Sequence, residues 1–510
     1  MKEVSIKSFY IHGIEAVPVD IVVSCSPGIG IHLCGGLNDI SVRECLLRTT
    51  TALQALGYKV PGQKIIIYIK DASEHQTIRT TAFDLPIAIG IILASGQLNA
   101  PDYDKYAIVG ELGLDASVRE VRSEYAMALA AEKIIIPAEN SARLQNRPGI
   151  AGTDKVFLAA NLDDALTILQ GTATQFSLAN RPAKDNGKSE QSSKEHFDLG
   201  KLVGNETAKR GLLIAAAGGH HIACMGPIGN NPSYLAACLA QILPSLTDEQ
   251  YIETEKIHEA AWVNNGDCNT VRPFQMPHRS SSMTSIFGGG EGVSMKPGAA
   301  SLAHNGVLFL EEFEIFPKSV REGLATTLQE KKITISRLRD KVIFPADFQL
   351  MLSFLPCPCG YKDDGSQRCT CTPSQIERYR QQYEGPVFDK CDIHFWTRPL
   401  TFGPYTKPMS NADCREKVTA ARKIQALRFT PDCGIRCNAE IPARLLEDYC
   451  PLSPECQETL SKLMESLSLP AKEYSGIVRV ARTIADLAGS KDILKEHIVE
   501  AVSYKFINKR

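Results

Sequence analysis

A glycine-containing turn between an apolar strand and a helix is the feature that most limits what this chain can fold into. The turn covers residues 226–233 and reads Gly-Pro-Ile-Gly-Asn-Asn-Pro-Ser. An apolar run precedes it at residues 221–225, and a run with helical spacing follows at residues 234–243. In nucleotide-binding α/β domains this arrangement forms a phosphate loop, because backbone N–H groups at the start of the helix converge on the phosphates. The sequence therefore predicts a parallel α/β sheet with a nucleotide site at this turn.

The turn lacks the residue that supplies positive charge to such a loop. Gly226, Gly229 and Ser233 stand where glycines and a magnesium-binding hydroxyl are expected. Pro232 replaces the lysine, and Asn231 replaces a third glycine. Proline fits the first turn of a helix and asparagine tolerates a left-handed backbone, so the turn itself can survive. Losing one charged hydrogen bond costs roughly 1.5–3 kcal/mol. We therefore predict weakened phosphate binding and a larger loss of transition-state stabilisation.

Length and composition limit the class of protein. The 510 residues are too many for one hydrophobic core, so several domains are expected. The net charge of −2 means that any contact with nucleic acid must come from a local basic patch. The amino terminus lacks the apolar stretch of a secretory signal, and residues 85–93 are too short to cross a bilayer. With 16 scattered cysteines, these features predict a cytoplasmic protein with reduced thiols and no membrane partner.

Changes in residue pattern divide the chain into four segments. Residues 1–172 mix strands with helices, and residues 173–196 contain so few apolar side chains that they are typical of a flexible linker. Residues 197–400 alternate strands with helices, which predicts a parallel sheet, and residues 401–510 are mainly amphipathic helix. The predicted strands are residues 65–69, 133–136, 221–225, 306–310 and 348–354, and the predicted helices are residues 42–56, 125–132, 413–428 and 473–488.

The predicted strand at residues 306–310 ends in two acids, Glu311 and Glu312. An apolar strand that ends in acids after a phosphate loop is a common way to hold Mg²⁺ and polarise a water molecule. Alone, the pattern fits a buried strand followed by a solvated acidic turn equally well. Together with the turn at residues 226–233, it favours a nucleotide site.

Four cysteines lie close together in a turn-rich segment with the spacing C-x-C-x9-C-x-C. Four thiolates on one short hairpin can surround a tetrahedral Zn²⁺ ion. The spacing is tighter than the common C-x2-C pattern, so a reduced cysteine loop without an ion remains an equal alternative. The residues are Cys357, Cys359, Cys369 and Cys371.

A basic hairpin is predicted around the alternating run at residues 333–336. Such a hairpin can contact DNA phosphates, but a solvated surface hairpin is the commoner outcome for a cluster of charges, and both remain open. The basic residues that flank the run are Lys331, Lys332, Arg337, Arg339 and Lys341.

Long strings along nearly the whole chain match one family. They include Phe83-Asp84-Leu85-Pro86, Pro356-Cys357-Pro358-Cys359-Gly360-Tyr361 and Arg479-Val480-Ala481-Arg482-Thr483-Ile484-Ala485-Asp486-Leu487, with further strings at residues 57–61, 110–112, 216–220, 272–274 and 301–306. By these strings the sequence resembles the ComM/YifB family, magnesium-chelatase-like members of the AAA+ ATPases. The resemblance implies a Lon-protease-like (ribosomal S5 domain 2-like) amino-terminal domain, an AAA+ P-loop core and a carboxyl-terminal helical lid. It also implies a homo- or hetero-oligomeric ring that uses ATP and Mg²⁺ and acts on DNA in branch migration during natural transformation.

The resemblance also assigns roles to individual positions. Glu311 replaces the aspartate that would hold Mg²⁺ together with Ser233, and Glu312 keeps the acid that would activate water. Leu355 replaces a water-orienting asparagine, and Lys390 replaces an arginine finger without its planar fork. The implied nucleotide contacts are Gly226, Pro227, Gly229, Asn230, Asn231, Pro232, Ser233 and the lid residue Arg479.

These departures predict weak or lost binding of ATP and Mg²⁺ and impaired hydrolysis, so whether the chain is an enzyme stays open. Two alternatives remain, an active DNA-stimulated ATPase or helicase, and a non-catalytic ring subunit, scaffold or regulator. A chelatase motor for tetrapyrrole synthesis is disfavoured, because the Lon-like front domain is not part of that subunit's usual plan.

Overall fold

The computed structural model describes eleven stretches of the chain, and the predicted linker falls largely outside them. Only residues 174–180 of that linker are described, and they form two short 3-10 turns. In the described part of the chain, every helix is too short or too polar to cross a lipid bilayer. The described stretches are residues 2–34, 39–70, 80–171, 174–180, 197–263, 271–290, 295–337, 341–365, 367–404, 409–429 and 434–505.

The amino-terminal region, here called the front region, is built on a mixed sheet with the strand order β3-β4-β2-β1-β5-β8-β9. Isoleucines at alternate positions of β4 are buried on one face, as the period of a strand requires. The strands and helices predicted here are confirmed, whereas the Lon-like identity of the region stays a prediction. The elements are β1 Lys2–His12, β2 Glu15–Ser26, β3 Ile31–Cys34, β4 Lys64–Lys70, β5 Ala107–Ile108, β6 Glu111–Leu112, β7 Val118–Arg119, β8 Ile134–Pro137, β9 Val156–Ala159, α1 Asp39–Ala55, α2 Asp84–Ala94, α3 Glu124–Ala130, α4 Ser141–Leu144 and α5 Leu162–Leu169.

The central region contains the parallel sheet that the sequence predicts. Its strand order is β12-β15-β18-β11-β19, and every pairing between these strands is parallel. The short apolar strands are buried on both faces, because helices cover the sheet. The strands are β10 Leu202–Val203, β11 His221–Met225, β12 Phe274–Gln275, β13 Gly288–Gly289, β14 Lys296–Pro297, β15 Val307–Leu310, β16 Lys332–Ser336, β17 Lys341–Pro345, β18 Gln349–Phe354, β19 Cys391–Trp396 and β20 Thr401–Phe402. The helices are α6 Glu206–Gly218, α7 Pro232–Ile242, α8 Asp248–Ala261, α9 Met283–Phe287, α10 Ala299–Leu302, α11 Lys318–Glu330 and α12 Pro373–Arg380.

Strands β16 and β17 form the predicted hairpin, which contacts the front region. His12 Nε2 lies 3.2 Å from the carbonyl oxygen of Lys341. Gly13 has a φ of +66°, and a side chain there would come within 2.7 Å of Val342. The turn between β1 and β2 therefore packs directly against the hairpin.

The carboxyl-terminal region is helical, as predicted, apart from the short strand β20 at its start. Helix α16 has the most pronounced apolar face, and that face packs against α6 and α13 in a core shared with the central sheet. The helices are α13 Asn411–Arg428, α14 Leu446–Tyr449, α15 Pro454–Ser466, α16 Tyr474–Leu487 and α17 Lys495–Ser503.

A largely buried polar cluster, here called the lid joint, connects the helices of this region to one another and extends to the central sheet. Asp486 Oδ2 accepts hydrogen bonds from Arg428 Nη1 at 2.9 Å and from Asn438 Nδ2 at 2.8 Å. Asp486 Oδ1 accepts one from Arg482 Nε at 3.1 Å. On the sheet side, His220 Nδ1 lies 2.8 Å from Asp392 Oδ2. The lid joint comprises His220, Asp392, Arg428, Asn438, Arg482 and Asp486.

A second buried cluster, here called the front joint, connects the front region to helix α8. Arg147 approaches Glu255 at 3.3 Å through Nη2 and donates a hydrogen bond to Glu259 at 3.1 Å through Nη1. Its guanidinium also lies 4.9 Å from the centre of the Tyr125 ring. Glu124, which is 2% exposed, completes the cluster. The front joint comprises Glu124, Arg147, Glu255 and Glu259.

Candidate nucleotide site and cysteine cluster

The carboxyl edge of the central sheet brings together most of the predicted site. The turn at residues 226–233 follows β11, Glu311 and Glu312 follow β15, and Leu355 follows β18. Because these strands are parallel neighbours, their carboxyl ends meet at one edge, where ligands bind in open α/β sheets.

The turn has the backbone conformation that the sequence predicts. Gly229 has a φ of +90° and Asn231 a φ of +42°, so asparagine does adopt the left-handed backbone. Helix α7 begins at Pro232, whose missing N–H costs nothing in the first turn. A side chain at Gly226 would lie 2.4 Å from both Asn230 and Thr397, so glycine is required there for close packing.

Side chains within the turn are engaged with one another and with β19. Asn230 is buried, and its Nδ2 donates a 2.7 Å hydrogen bond to the hydroxyl of Thr397, which follows β19. The Ser233 hydroxyl donates a 2.8 Å hydrogen bond to Asn231 Oδ1. The serine oxygen keeps its lone pairs, so it can still bind Mg²⁺ as the sequence predicts. The role of Ser233 itself stays a prediction.

Glu312 has an ionic partner that the sequence does not suggest. Its backbone is left-handed, with a φ of +53°, and its N–H donates to Ser353 Oγ at 3.2 Å. The carboxylate accepts a hydrogen bond from Arg279, which lies before α9 on an exposed segment. Residues 279 and 312 are far apart in the chain, so no local pattern indicates this pairing. A carboxylate held by a guanidinium is a weaker base, because the pairing stabilises its charged form.

Leu355 stands at the position assigned to a water-orienting asparagine. Its backbone N–H donates to Glu314 Oε1 at 3.4 Å, and Tyr379 also donates to that carboxylate oxygen. Burial raises the pKa of Glu314, although these hydrogen bonds oppose the shift. The leucine side chain has no polar atom, so it cannot orient water.

The structure places Arg479 away from the phosphate loop of its own chain, and its role as a nucleotide contact stays a prediction. Arg479 Nη2 lies 3.5 Å from Asp392 Oδ1, and its Nη1 donates to the Ile441 carbonyl at 3.2 Å. Asp392 is near the amino end of β19, level with the start of β11. The loop begins after the last residue of β11, roughly 13 Å further along the sheet at about 3.3 Å per residue. Arg479 therefore supports the contact between sheet and lid.

Lys390 lies at the same amino edge, directly before β19 and exposed to solvent. It is therefore also distant from the loop of its own chain. Its predicted role as an arginine-finger substitute stays a prediction.

The basic hairpin is only partly as the sequence predicts. Lys331 lies at its base, where it pairs with Glu440 and lies 3.3 Å from Asp347, so it is not part of the tip. Lys332, Arg337 and Lys341 are exposed. Arg339 lies outside the described residues.

The four cysteines of the turn-rich segment converge. Their Sγ atoms all lie within 4.8 Å of one another, and they form the one group of metal-ligating side chains with this geometry among the described residues. Cys357 Sγ is 3.3 Å from Cys359 Sγ and 3.7 Å from Cys369 Sγ, and Cys359 and Cys369 are also 3.7 Å apart. The cluster of Cys357, Cys359, Cys369 and Cys371, here called the cysteine cluster, can therefore hold a metal ion.

Comparisons with known protein families cover most of the chain. The family described as magnesium chelatase, subunit ChlI, matches residues 198–403, and its carboxyl-terminal family matches residues 408–505. A third family, described as subunit ChlI of Mg-chelatase, matches residues 21–140. With the parallel sheet and the phosphate-loop geometry, these matches define a magnesium-chelatase-like protein.

Relatives of similar length narrow the assignment. The "Competence protein ComM" of Haemophilus influenzae is 34% identical over 502 residues, which is 97% of this chain and 95% of that protein. The "Uncharacterized protein YifB" of Salmonella typhimurium is 32% identical over 511 residues, 98% of this chain and 96% of that protein. The protein of the same description from Escherichia coli is 32% identical over 508 residues, with the same coverage. The chain belongs to the ComM/YifB family.

Proposed function

We propose that this chain is a ring subunit of a DNA-processing AAA+ assembly in which ATP and Mg²⁺ bind weakly and hydrolysis is impaired. The observation that carries the proposal is the turn at residues 226–233, where phosphate-loop backbone geometry is retained around a proline in the lysine position. Family membership supports ATP as the nucleotide. The name of the Haemophilus relative, a competence protein, supports a context of DNA uptake, with branch migration during natural transformation as the expected role.

The backbone groups that the loop retains act on nucleotide binding, whereas the side chains that it lacks act mainly on hydrolysis. The amino terminus of α7 and the N–H groups of the turn still attract phosphate, so binding is weakened rather than abolished. In the transition state, charge is spread over the oxygens of the transferring phosphoryl group and builds on the leaving oxygen, and neither Pro232 nor Leu355 can stabilise that charge or orient water. Glu312 must in addition leave Arg279 before it can accept a proton. Hydrolysis therefore loses more than binding does.

The ring and the DNA contact are proposed from exposed basic residues. Lys390 is exposed at the edge of the sheet opposite the phosphate loop, where it is available to a nucleotide held by a neighbouring subunit. Lys332, Arg337 and Lys341 are exposed on the hairpin, where they can neutralise DNA phosphates. A homo-oligomer and a hetero-oligomer with a competent relative are both compatible with this arrangement.

A titration of ATP into purified protein tests the loop directly. We expect the double variant Asn231→Gly, Pro232→Lys to bind ATP–Mg²⁺ about tenfold to a hundredfold more tightly, because it restores one charged hydrogen bond. Pro232→Ala is the matched control, since it removes the ring without adding charge, and we expect less than a threefold change. Equal affinity of the lysine variant and the original protein, measured by calorimetry, would show that the loop is closed to phosphate for another reason.

A second candidate, an active DNA-stimulated ATPase, is favoured by the retention of Ser233, Glu311 and Glu312 near one edge of the sheet. Turnover of ATP, with and without single-stranded or branched DNA, separates the two candidates. A brisk DNA-stimulated rate that disappears in Glu312→Gln would reject impaired hydrolysis. If the original protein binds ATP but turns it over no faster than the Glu312→Gln variant does, impaired hydrolysis is supported.

We also propose that the ion held by the cysteine cluster is Zn²⁺. A tetrahedral zinc site with Zn–S bonds of about 2.3 Å places its sulfurs about 3.8 Å apart, and two of the three sulfur separations given above are close to this value. Four thiolates without carboxylate or imidazole ligands favour zinc over magnesium or calcium. Elemental analysis should find about one zinc per chain, and its absence after purification with added zinc would reject this assignment.

A further inference from the structure

We propose that the metal ion in the cysteine cluster fixes the shape of the phosphate loop, so that metal binding controls the nucleotide site. The inference rests on the zinc proposed above and goes beyond it, because a structural ion could equally well stabilise only its own segment. Two sets of contacts connect the cluster to the carboxyl edge of the central sheet. Each reaches a different side of the candidate nucleotide site.

The first connection is direct. Gly360 follows Cys359, and its carbonyl accepts a 3.1 Å hydrogen bond from the backbone N–H of Ile228, inside the phosphate loop. Gly360 has a φ of +74°, and a side chain there would lie 2.6 Å from Ile228 Cγ1. Ile228 is half exposed, so few other contacts hold it in place. The loop therefore takes its position at Ile228 from a residue that directly follows Cys359 and whose N–H donates a 2.9 Å hydrogen bond to the carbonyl of Cys357.

The second connection runs through helix α12, which begins directly after Cys371. Thr372 caps this helix, and its hydroxyl accepts from the N–H of Gln375 at 3.3 Å. Tyr379 on α12 donates to the buried carboxylate of Glu314, two residues beyond Glu312. The ends of the cysteine segment thus meet the two halves of the site, the phosphate loop and the acidic turn.

The cysteine cluster is what holds these two ends together. The segment from Cys357 to Cys371 contains several polar and turn-forming residues. Among its described residues, only Cys357 and Gly360 are buried. A chain with so little apolar burial keeps one conformation when ligands bind an ion, as in small metal-dependent domains. Without the ion, only weak S–H···S hydrogen bonds hold the four converging thiols at contact distance. Gly360 would then lose its fixed position, and so would the N–H of Ile228.

Hydrogen exchange on the intact protein tests the coupling. We compare the zinc-loaded chain, the chain stripped by a thiol-safe chelator, and the stripped chain reloaded with Zn²⁺ alone. On stripping, we expect exchange at the amides of residues 226–233 to become about fivefold to tenfold faster, since one backbone hydrogen bond is lost. Reloading should restore it. Exchange in the front region should not change, because its contacts described above lie at the hairpin and at α8 and not at the cluster.

Two variants separate the metal from the contact. Gly360→Ala leaves all four thiolates in place but crowds Ile228, so it should keep its zinc and still show faster exchange in the phosphate loop. Cys369→Ser should lose both zinc and protection, whereas Cys34→Ser, an exposed cysteine on β3, should lose neither. If the protein takes up no zinc, the zinc proposal fails. If zinc binds but its removal leaves exchange at residues 226–233 unchanged, the coupling fails while the zinc site stands.

Discussion

The lid joint and the front joint are both buried clusters of acids and arginines, yet they treat their charges in opposite ways. In the lid joint, both oxygens of Asp486 accept hydrogen bonds from arginine or asparagine side chains. In the front joint, Glu124 Oε1 and Glu259 Oε2 are buried without a hydrogen bond from any described residue. Two arginines, Arg147 and the more exposed Arg143, face three carboxylates there. The lid joint is therefore balanced in charge, and the front joint is not.

The pKa values of the two joints differ accordingly. Burial alone would raise the pKa of Asp392, but Arg479 and the hydrogen bond with His220 hold it well below its usual range. For Glu259, burial and the charges of Glu124 and Glu255 raise the pKa to about 8, against the opposing effect of Arg147. The comparison teaches that burying acids beside arginines does not by itself fix their charge. The balance of opposite and like charges around each buried carboxylate, together with its hydrogen bonds, decides it.

The largest effect is expected in the lid joint. Asp486→Ala leaves Arg428 and Arg482 without their shared carboxylate, and removing one partner from a buried ion pair typically costs about 3–5 kcal/mol. We expect urea unfolding of the helical region at clearly lower concentration, with faster hydrogen exchange in α16. Asp448→Ala, at an exposed position on α14, serves as the control. A loss below about 1 kcal/mol would mean that the lid joint is not the stronger of the two.

A smaller effect is expected when the front joint loses its cation. Arg147→Ala removes the partner of Glu255 and Glu259, but these carboxylates can take up protons, so the loss should be about 2–3 kcal/mol. Faster exchange in α8 and earlier cleavage by protease near it would report the loss. Lys105→Ala is the control, because Lys105 pairs with the partly exposed Asp102 in the same region and should cost much less than Arg147→Ala. Equal effects of the two variants would contradict the comparison.

The smallest effect, over the interval from about pH 6.5 to about pH 8, is a pH dependence in the front joint. The pKa of Glu259 is raised from 4.5 to about 8, so the folded chain keeps a proton that the unfolded chain releases as the pH rises. Its stabilisation is complete below about pH 4.5 and is lost by about pH 8. We expect protection of α8 from exchange, corrected for the intrinsic rate, to fall from about pH 6.5 to about pH 8, an interval in which the buried His258 on α8 is neutral.

Glu259→Gln removes this titrating group and should flatten the pH profile of α8. Protection of α16 in the lid joint should not fall over the same interval, because the pKa of Asp392 lies below it. Burial lowers the pKa of His220, so any change from that side chain is a gain in protection as the pH rises towards and past about 6.5. A pH profile that is identical in the original protein and in Glu259→Gln would show that another group titrates.

The site could be predicted where its determinants are close in the chain. The phosphate loop is such a case, because β11, the turn and the start of α7 follow one another directly in the chain. Local preferences of the glycines, Asn231 and Pro232 therefore determine the loop geometry. Parallel strands then place Glu311 and Leu355 beside it, since topology follows from the alternation of strands and helices. For the four cysteines, the sequence leaves a Zn²⁺ site and a reduced loop without an ion equally open. Their spacing does not fix the side-chain directions that bring the four sulfurs together.

Features that depend on distant pairs could not be predicted in the same way. A matched string identifies Arg479 but not the edge of the sheet to which its helix brings it. Arg279 and Glu312 are separated by 33 residues, and nothing near either residue indicates their pairing. Glu259 has the pattern of a solvated helix residue, and its burial depends on a front region more than 100 residues earlier.

The close packing of Gly13 against Val342 has a mechanical consequence. Strands β16 and β17 rest on the turn that joins the two longest strands of the front sheet. Any force on the hairpin is transmitted at this point to the front region, without passing through the nucleotide edge. The DNA contact proposed for the hairpin would therefore load the front region as well.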